Sequence, residues 1–320
     1  MKRSIAITLL ALGLALAPAA GLAQEPATGI RGEPGAKKKV LLITESKGFV
    51  HSVVSRKVTV DPKADAEKFP KTPGLSVSVD AKSNKTKVAF GGRLDGPLQI
   101  KAGDDVLAKI APCEVEATFM KMSKDSGLFD VVCSQDARGE ISGDNLKNFD
   151  AVFFYTTGEL PLSDGQKADL LGFVRSGKGF GGSHCAADTF YKWKEYGDLV
   201  GAYFAGHPPG FQKIRVIVED TKHPATKHLG ESFPIEDEIY QFKEPYGKDK
   251  VHVLLRMDMA SHKNVWRKDG DNPIAWTHDY GKGRVFYTAL GHREEVWRDP
   301  RFQQHVIGGL RYLFRIEDAK

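Results

Sequence analysis

The sequence predicts an α/β fold, an open and mostly parallel sheet flanked by helices, with a β-rich insertion. Two observations predict it. Short apolar runs rich in β-branched and aromatic residues recur along the chain and end in polar or turn-forming residues, as buried parallel strands do. Helical patterns with capping residues stand between several of them, and strands alternating with helices build a parallel sheet. Composition agrees. Of 320 residues, 41% are hydrophobic and 27% charged, enough for one large core or two modest ones. Only 3 cysteines, with 33 glycines and 16 prolines, exclude a disulfide framework, a collagen-like repeat and a disordered chain.

From the N-terminus, residues 1–23 read as a signal peptide. Lys2 and Arg3 open it, the run from Ile5 to Ala17 is apolar, and Gly21-Leu22-Ala23 supplies small residues just before Gln24. Pro18 closes the run short of the roughly 20 residues an uncleaved anchor needs, and no later run could span a membrane. A periplasmic or secreted protein is expected. The net charge of +5 includes Lys2 and Arg3 and gives no reason to expect a nucleic-acid partner. Residues 24–38 read as a flexible linker, and the α/β domain is expected over residues 39–316.

Within that domain, strands are expected at Val40 to Thr44, Phe129 to Cys133, Ala151 to Thr156, Ile214 to Val218, Val251 to Leu255, Ile274 to Trp276 and Val285 to Leu290. Helices are expected at Glu114 to Lys124, at Ser163 to Ser176 with Ser163 as N-cap and Gly177 as stop, and at Asp299 to Phe314. Residues 55–112 break the rhythm. Their alternations (LSVSVD, KVAFGGRL, LQIKAG) suggest the β-rich insertion, either a lid or an elaborated surface loop. There is no internal repeat.

In an open sheet, ligands bind where strands end and helix N-termini converge. The loops after strands carry Gly48-Phe49-Val50-His51, Gly206-His207-Pro208, Asp237-Glu238 and Leu290-Gly291-His292. Gly181-Gly182-Ser183-His184-Cys185-Ala186 has the form of a strand-to-helix elbow, a turn that lifts one side chain above the sheet. His184 stands at its tip. Histidine does not replace Ser or Cys as an acyl nucleophile, whereas neutral imidazole is a good metal ligand; a shifted register would present Ser183 or Cys185 instead. Glu238 and His207 are candidate proton-moving groups. Asp188, four residues after His184, would orient the imidazole if a helix starts promptly. Tyr191 and Trp193 follow the elbow and are candidate faces for a sugar ring, although most aromatics, Trp266, Trp276 and Trp297 among them, belong in cores. His223, His228, His252, His262, His278 and His305 have no such context. Cys113 and Cys133 could meet at one edge of the sheet, but pairing does not follow from spacing.

The run GKGFGGSHCAADTFYKWKEYGDLVGAYFAGHP, followed by EDTKHPATKHL, DEIYQF and GKGRVFYTALGH, resembles the ThuA-like (trehalose utilisation) family, which is distantly similar to class I glutamine amidotransferases. The resemblance implies a flavodoxin-like or amidotransferase-like sheet. It also implies that His184 and His292 take the places of the amidotransferase nucleophile and its base and so face one another, with His51 as a third ligand to a divalent metal ion, zinc among the candidates. With His at the elbow, glutamine amidotransfer is not expected. The family is associated with disaccharide catabolism through 3-keto sugars. The implied function is therefore a metal-dependent enzyme acting on a 3-keto-disaccharide or glycoside by elimination, isomerisation or hydrolysis. The alternative is a non-catalytic periplasmic sugar-binding or scaffold protein. A small carbohydrate is the expected partner, and a homo-oligomer is allowed.

Overall fold

The elements follow the apolar runs of the sequence closely. The computed structural model describes residues 37–261 and 270–318; the expected signal peptide, all but the end of the linker, His262 and Trp266 lie outside the described residues. The chain opens with β1 (Lys38–Ile43), which begins inside the expected linker. There follow β2 (Lys57–Val60), β3 (Leu75–Val79), β4 (Thr86–Phe90), β5 (Leu98–Ala102) and β6 (Asp105–Ala111). Next come α1 (Glu114–Ser126), β7 (Phe129–Ser134), α2 (Ala137–Glu140), α3 (Gly143–Leu146), β8 (Ala151–Phe154), α4 (Asp164–Arg175) and β9 (Gly179–Ser183). The remainder is α5 (Lys194–Val200), β10 (Tyr203–Gly206), β11 (Gln212–Val218), β12 (Ser232–Asp237), β13 (Gln241–Lys243), β14 (His252–Met257), β15 (Pro273–Tyr280), β16 (Gly283–Thr288), α6 (Glu294–Arg298) and α7 (Pro300–Leu313).

Nine of these strands form one sheet in the order β12-β11-β14-β15-β16-β9-β8-β1-β7. From β16 to β7 every pairing is parallel, and from β12 to β16 every pairing is antiparallel. The expectation of a mostly parallel sheet is thus corrected to a mixed one. The runs IRVIV and VHVLL are apolar enough for a parallel core, but among the described residues no α-helix lies between β14, β15 and β16 to carry a crossover, and these strands pair antiparallel. Buried Leu41, Phe153, Phe180 and Phe286 run through the parallel half; each buried side chain of that size contributes about 1.5–3 kcal/mol.

Helix ends follow the capping rules. Ser163 accepts from the Gln166 N–H while the Gln166 side chain accepts from the Ser163 N–H, a reciprocal box that starts α4. Asp299 caps α7, whose first residue is Pro300. Residues 57–111 are more than a surface loop. β2, β6 and β5 form a three-stranded sheet and β3 and β4 a hairpin, around a small core of Phe90, Leu94, Ile100, Ala108 and Ile110. Arg56 ties this layer to α1, with its guanidinium 2.7 Å from Glu116 and donating to the carbonyls of Phe90 and Gly92. Cys113 and Cys133 are free, buried thiols, not a bridge.

Candidate metal and substrate site

Sheet topology brings the candidate residues to one edge. β1, β9 and β16 run parallel, so the loops after them, carrying His51, His184 and His292, leave the sheet at the same end. Two antiparallel reversals at β15 and β14, and two more at β11 and β12, give β12 the same sense as β16. Glu238, just past β12, and His207 and Phe211, just before β11, therefore reach that end too.

The elbow is sharp. His184 has φ of +47°, the left-handed region that costs a non-glycine residue free energy. Gly182 beneath it has no room for a side chain, since a Cβ there would come 2.9 Å from that of Ala186. The turn that follows, His184 to Asp188, is a 3-10 helix. With about three residues per turn, Asp188 does not share a face with His184, which corrects the expectation that it orients that imidazole. Its Oδ1 instead accepts from the Tyr191 hydroxyl at 2.5 Å, and burial raises its pKa above the usual carboxylate range against that bond. The Ala289 carbonyl takes the orienting role, 2.8 Å from His184 Nδ1. That contact assigns the proton of the neutral ring to Nδ1 and leaves Nε2 as an acceptor.

Nε2 of His184 faces a second imidazole nitrogen and a carboxylate oxygen. It lies 3.1 Å from His292 Nδ1 and 3.3 Å from Glu238 Oε2, which is itself 3.2 Å from His292 Nδ1. The His51 ring stands 5.0 Å from that of His184 and 4.9 Å from that of His292 between centroids, and its buried Nδ1 has no hydrogen-bond partner. One ligand atom from each of His51, His184, Glu238 and His292 falls within 4.8 Å of the other three. Burial, then the neighbouring His184 and His292, push the pKa of His51 down to about 2. Burial alone would raise that of Glu238, but hydrogen bonds with His184 and His292 outweigh it and hold the carboxylate ionised well below its usual range.

The loop bearing His292 is tied from four sides. Ser183 Oγ donates to the Leu290 carbonyl, the Tyr155 hydroxyl and the Trp297 indole N–H both donate to the Gly291 carbonyl, and buried Asp237 accepts from the N–H groups of Gly291 and Arg293. A loop held this way presets its imidazole before any ligand arrives. Asp237, which the sequence placed in a strand-end loop beside Glu238 without a role of its own, and Ala289, which it did not single out, are positioning groups. His207 keeps a place at the site, with Nε2 3.3 Å from Glu238 Oε1 and Nδ1 2.8 Å from the Pro208 carbonyl. Glu238, read from sequence as a proton-moving group, stands within reach of three imidazoles. Trp193 does not serve as a sugar platform. It is 7% exposed and packs against Phe190 and Tyr196 in the core. Cys185 is fully buried, and burial pushes its thiol well above the usual range, so the elbow presents no thiolate.

Sequence reasoning also passed over Phe49, whose ring meets His51 edge-on at 4.8 Å, and Phe211, 5.2 Å from His292. The signal was present as an apolar residue beside a strand-end histidine.

Among the described residues no helix is long and apolar enough to cross a membrane. Comparison with known proteins places the fold. The ThuA family model, described as trehalose utilisation, matches residues 102–313, a span that holds His184, Glu238 and His292 but not His51. A ThuA-like protein from Bacteroides uniformis ATCC 8492 superposes with a TM-score of 0.54 at 23% identity, over 62% of this chain and 82% of its own. One from Parabacteroides merdae ATCC 43184 gives 0.54 at 16% identity, over 89% and 92%. No curated protein matches the chain. At these identities the likeness speaks for the fold, an α/β sheet flanked by helices.

Proposed function

Because the chain belongs to the ThuA family of trehalose utilisation, we propose that it is a metal-dependent enzyme of sugar catabolism, with His51, His184, Glu238 and His292 holding a divalent cation. The observation that carries this reading is the convergence of acceptors. A neutral His184 spends its one ring proton on Ala289, and a single proton on His292 Nδ1 then bridges only one of the close approaches among His184, Glu238 and His292. Acceptors held this close call for a positive centre. Three imidazoles and a carboxylate suit zinc, with nickel, manganese and iron as the other candidates.

A cation bound there would supply a positive charge that polarises a carbonyl or hydroxyl oxygen of the sugar. The chain's own residues supply the rest. Glu238 stays ionised and offers one oxygen toward His184 and His292 and the other toward His207. In its neutral form His207, with Nδ1 bonded to the Pro208 carbonyl, has at Nε2 a lone pair to take a proton from the carbon beside a sugar carbonyl and share it with Glu238 Oε1, 3.3 Å away. Asp188, fixed through Oδ1 by Tyr191, has Oδ2 left for a hydroxyl. The substrate class this fits is a 3-keto-disaccharide or 3-keto-glycoside, and elimination, isomerisation and hydrolysis can all start from proton removal beside its carbonyl. The basic and apolar pattern of residues 1–23 supports export to the periplasm or beyond.

The test is turnover of 3-keto-trehalose by the wild type, by chelator-treated protein and by His207→Ala. Turnover lost with chelator and cut roughly 100-fold or more in His207→Ala supports the reading. Sugar-induced thermal stabilisation without product, indifferent to chelator, would replace it with a sugar-binding protein.

A further inference from the structure

Exposed apolar side chains gather at the site. Among the described residues, Phe49 is 64% exposed, Phe211 49% and Tyr191 40%, and Val50 is exposed beside them. All four touch or adjoin a site residue. Phe49 meets His51, Phe211 meets His292, Tyr191 donates to Asp188, and Val50 precedes His51 in the chain. Leaving such side chains in water forgoes burial free energy that a folded core would gain, so a cluster of them at one mouth points to a ligand.

Neither phenylalanine sits on a loose tip. The Phe49 carbonyl accepts from Thr157 Oγ1 at 2.8 Å, the neighbouring Gly48 N–H donates to that same oxygen, and the Lys47 N–H donates to the Thr157 carbonyl. Phe211 follows the turn that carries His207, which is closed by Gly210 at φ +74° and by the Gln212 side chain donating to the Pro209 carbonyl. The Arg293 guanidinium lies 4.9 Å over the Phe211 ring and is itself held by Glu236 and Glu295. Two exposed aromatic rings thus stand on held backbone, in contact with two histidines of the cation cluster.

We propose that Phe49 and Phe211 form a platform for the apolar C–H face of a pyranose ring. A pyranose has the complementary shape. Its axial C–H groups, carrying slight positive charge, rest against the negative face of an aromatic ring, while its hydroxyl edge turns to the polar groups of the site. An acyclic polyol has the same hydroxyls and lacks that face. The proposal rests on the carbohydrate reading above and assigns which residues select for a ring.

Isothermal titration calorimetry with trehalose and methyl α-glucoside as ring probes, and sorbitol as the acyclic control, tests it, with bound metal measured in each sample. Phe49→Ala and Phe211→Ala should each weaken binding of the ring probes about 3- to 10-fold, Phe49→Tyr should retain it, and neither sorbitol binding nor metal content should move. Both side chains are exposed, so folding is not at risk, and unchanged melting confirms it. Unchanged affinity in both alanine variants, a parallel loss for sorbitol, or a wild type that binds neither ring probe overturns the platform. Protein that takes up no divalent ion yet binds the ring probes through the two phenylalanines would sink the cation reading and leave the platform standing.

Discussion

His184 Nε2 and His292 Nδ1 stand 3.1 Å apart although 108 residues separate them in the chain. The contact exists because β9 and β16 are parallel neighbours whose ends open into adjacent loops, and because each imidazole is held from behind. Ala289 holds His184, while Asp237, Tyr155, Trp297 and Ser183 hold the loop of His292. Preset acceptors of this kind have consequences that can be measured.

The elbow separates function from stability at one position. At φ +47° glycine is preferred to alanine by roughly 1 kcal/mol. His184→Gly should therefore melt above His184→Ala, both compared without metal, while both lose the imidazole. Equal melting temperatures in differential scanning calorimetry would mean that the turn relaxes when the imidazole is removed.

Acid should destabilise the fold through a histidine remote from the site. His305 is buried against Phe286 with Nδ1 2.8 Å from the Ala225 carbonyl, and burial pushes its pKa down to about 3. The unfolded chain, with an ordinary histidine, takes up its proton as pH falls through about 6.5, whereas the folded chain resists until about 3. The contribution is intact above pH ~6.5 and is lost progressively below it, by about 2 kcal/mol at pH ~5. His305→Gln, which can still donate to Ala225, should show a smaller loss between pH 7.5 and pH 5 in urea melts. An identical pH dependence in the two proteins would remove His305 as a cause.

Thiol chemistry should be silent. Cys113, Cys133 and Cys185 are buried, and burial pushes all three thiols well above their usual range. Under native conditions iodoacetamide should leave all three unmodified by mass spectrometry, and urea should expose them. Rapid native labelling of Cys185 would revive a nucleophilic cysteine at the elbow.

Much of this was legible in the sequence, for identifiable reasons. α1, α4 and α7 fall where their caps and periodicity put them, because capping is local chemistry. The strand-end histidines were found because that rule depends only on where apolar runs stop. What was missed depended on distance in the fold. The direction of β11, β14 and β15 is set by partners, which an apolar run does not name. Asp188 was misassigned because the turn after His184 is 3-10 and not α-helical, a difference of one residue per contact. Trp193 resembled a sugar platform by proximity to the elbow, and only packing against Phe190 and Tyr196 shows it in the core. Phe49 and Phe211 carried no periodic signal at all.

Elemental analysis of protein purified without an affinity tag, before and after chelator and beside His184→Ala, tests the central claim most directly. The account predicts about one divalent ion per wild-type chain, removed by chelator and restored by added metal with a rise in melting temperature, and little or none in His184→Ala after the same dialysis. A wild type that carries no metal and gains no stability from zinc, manganese, nickel or iron would contradict it, as would a variant that keeps its ion.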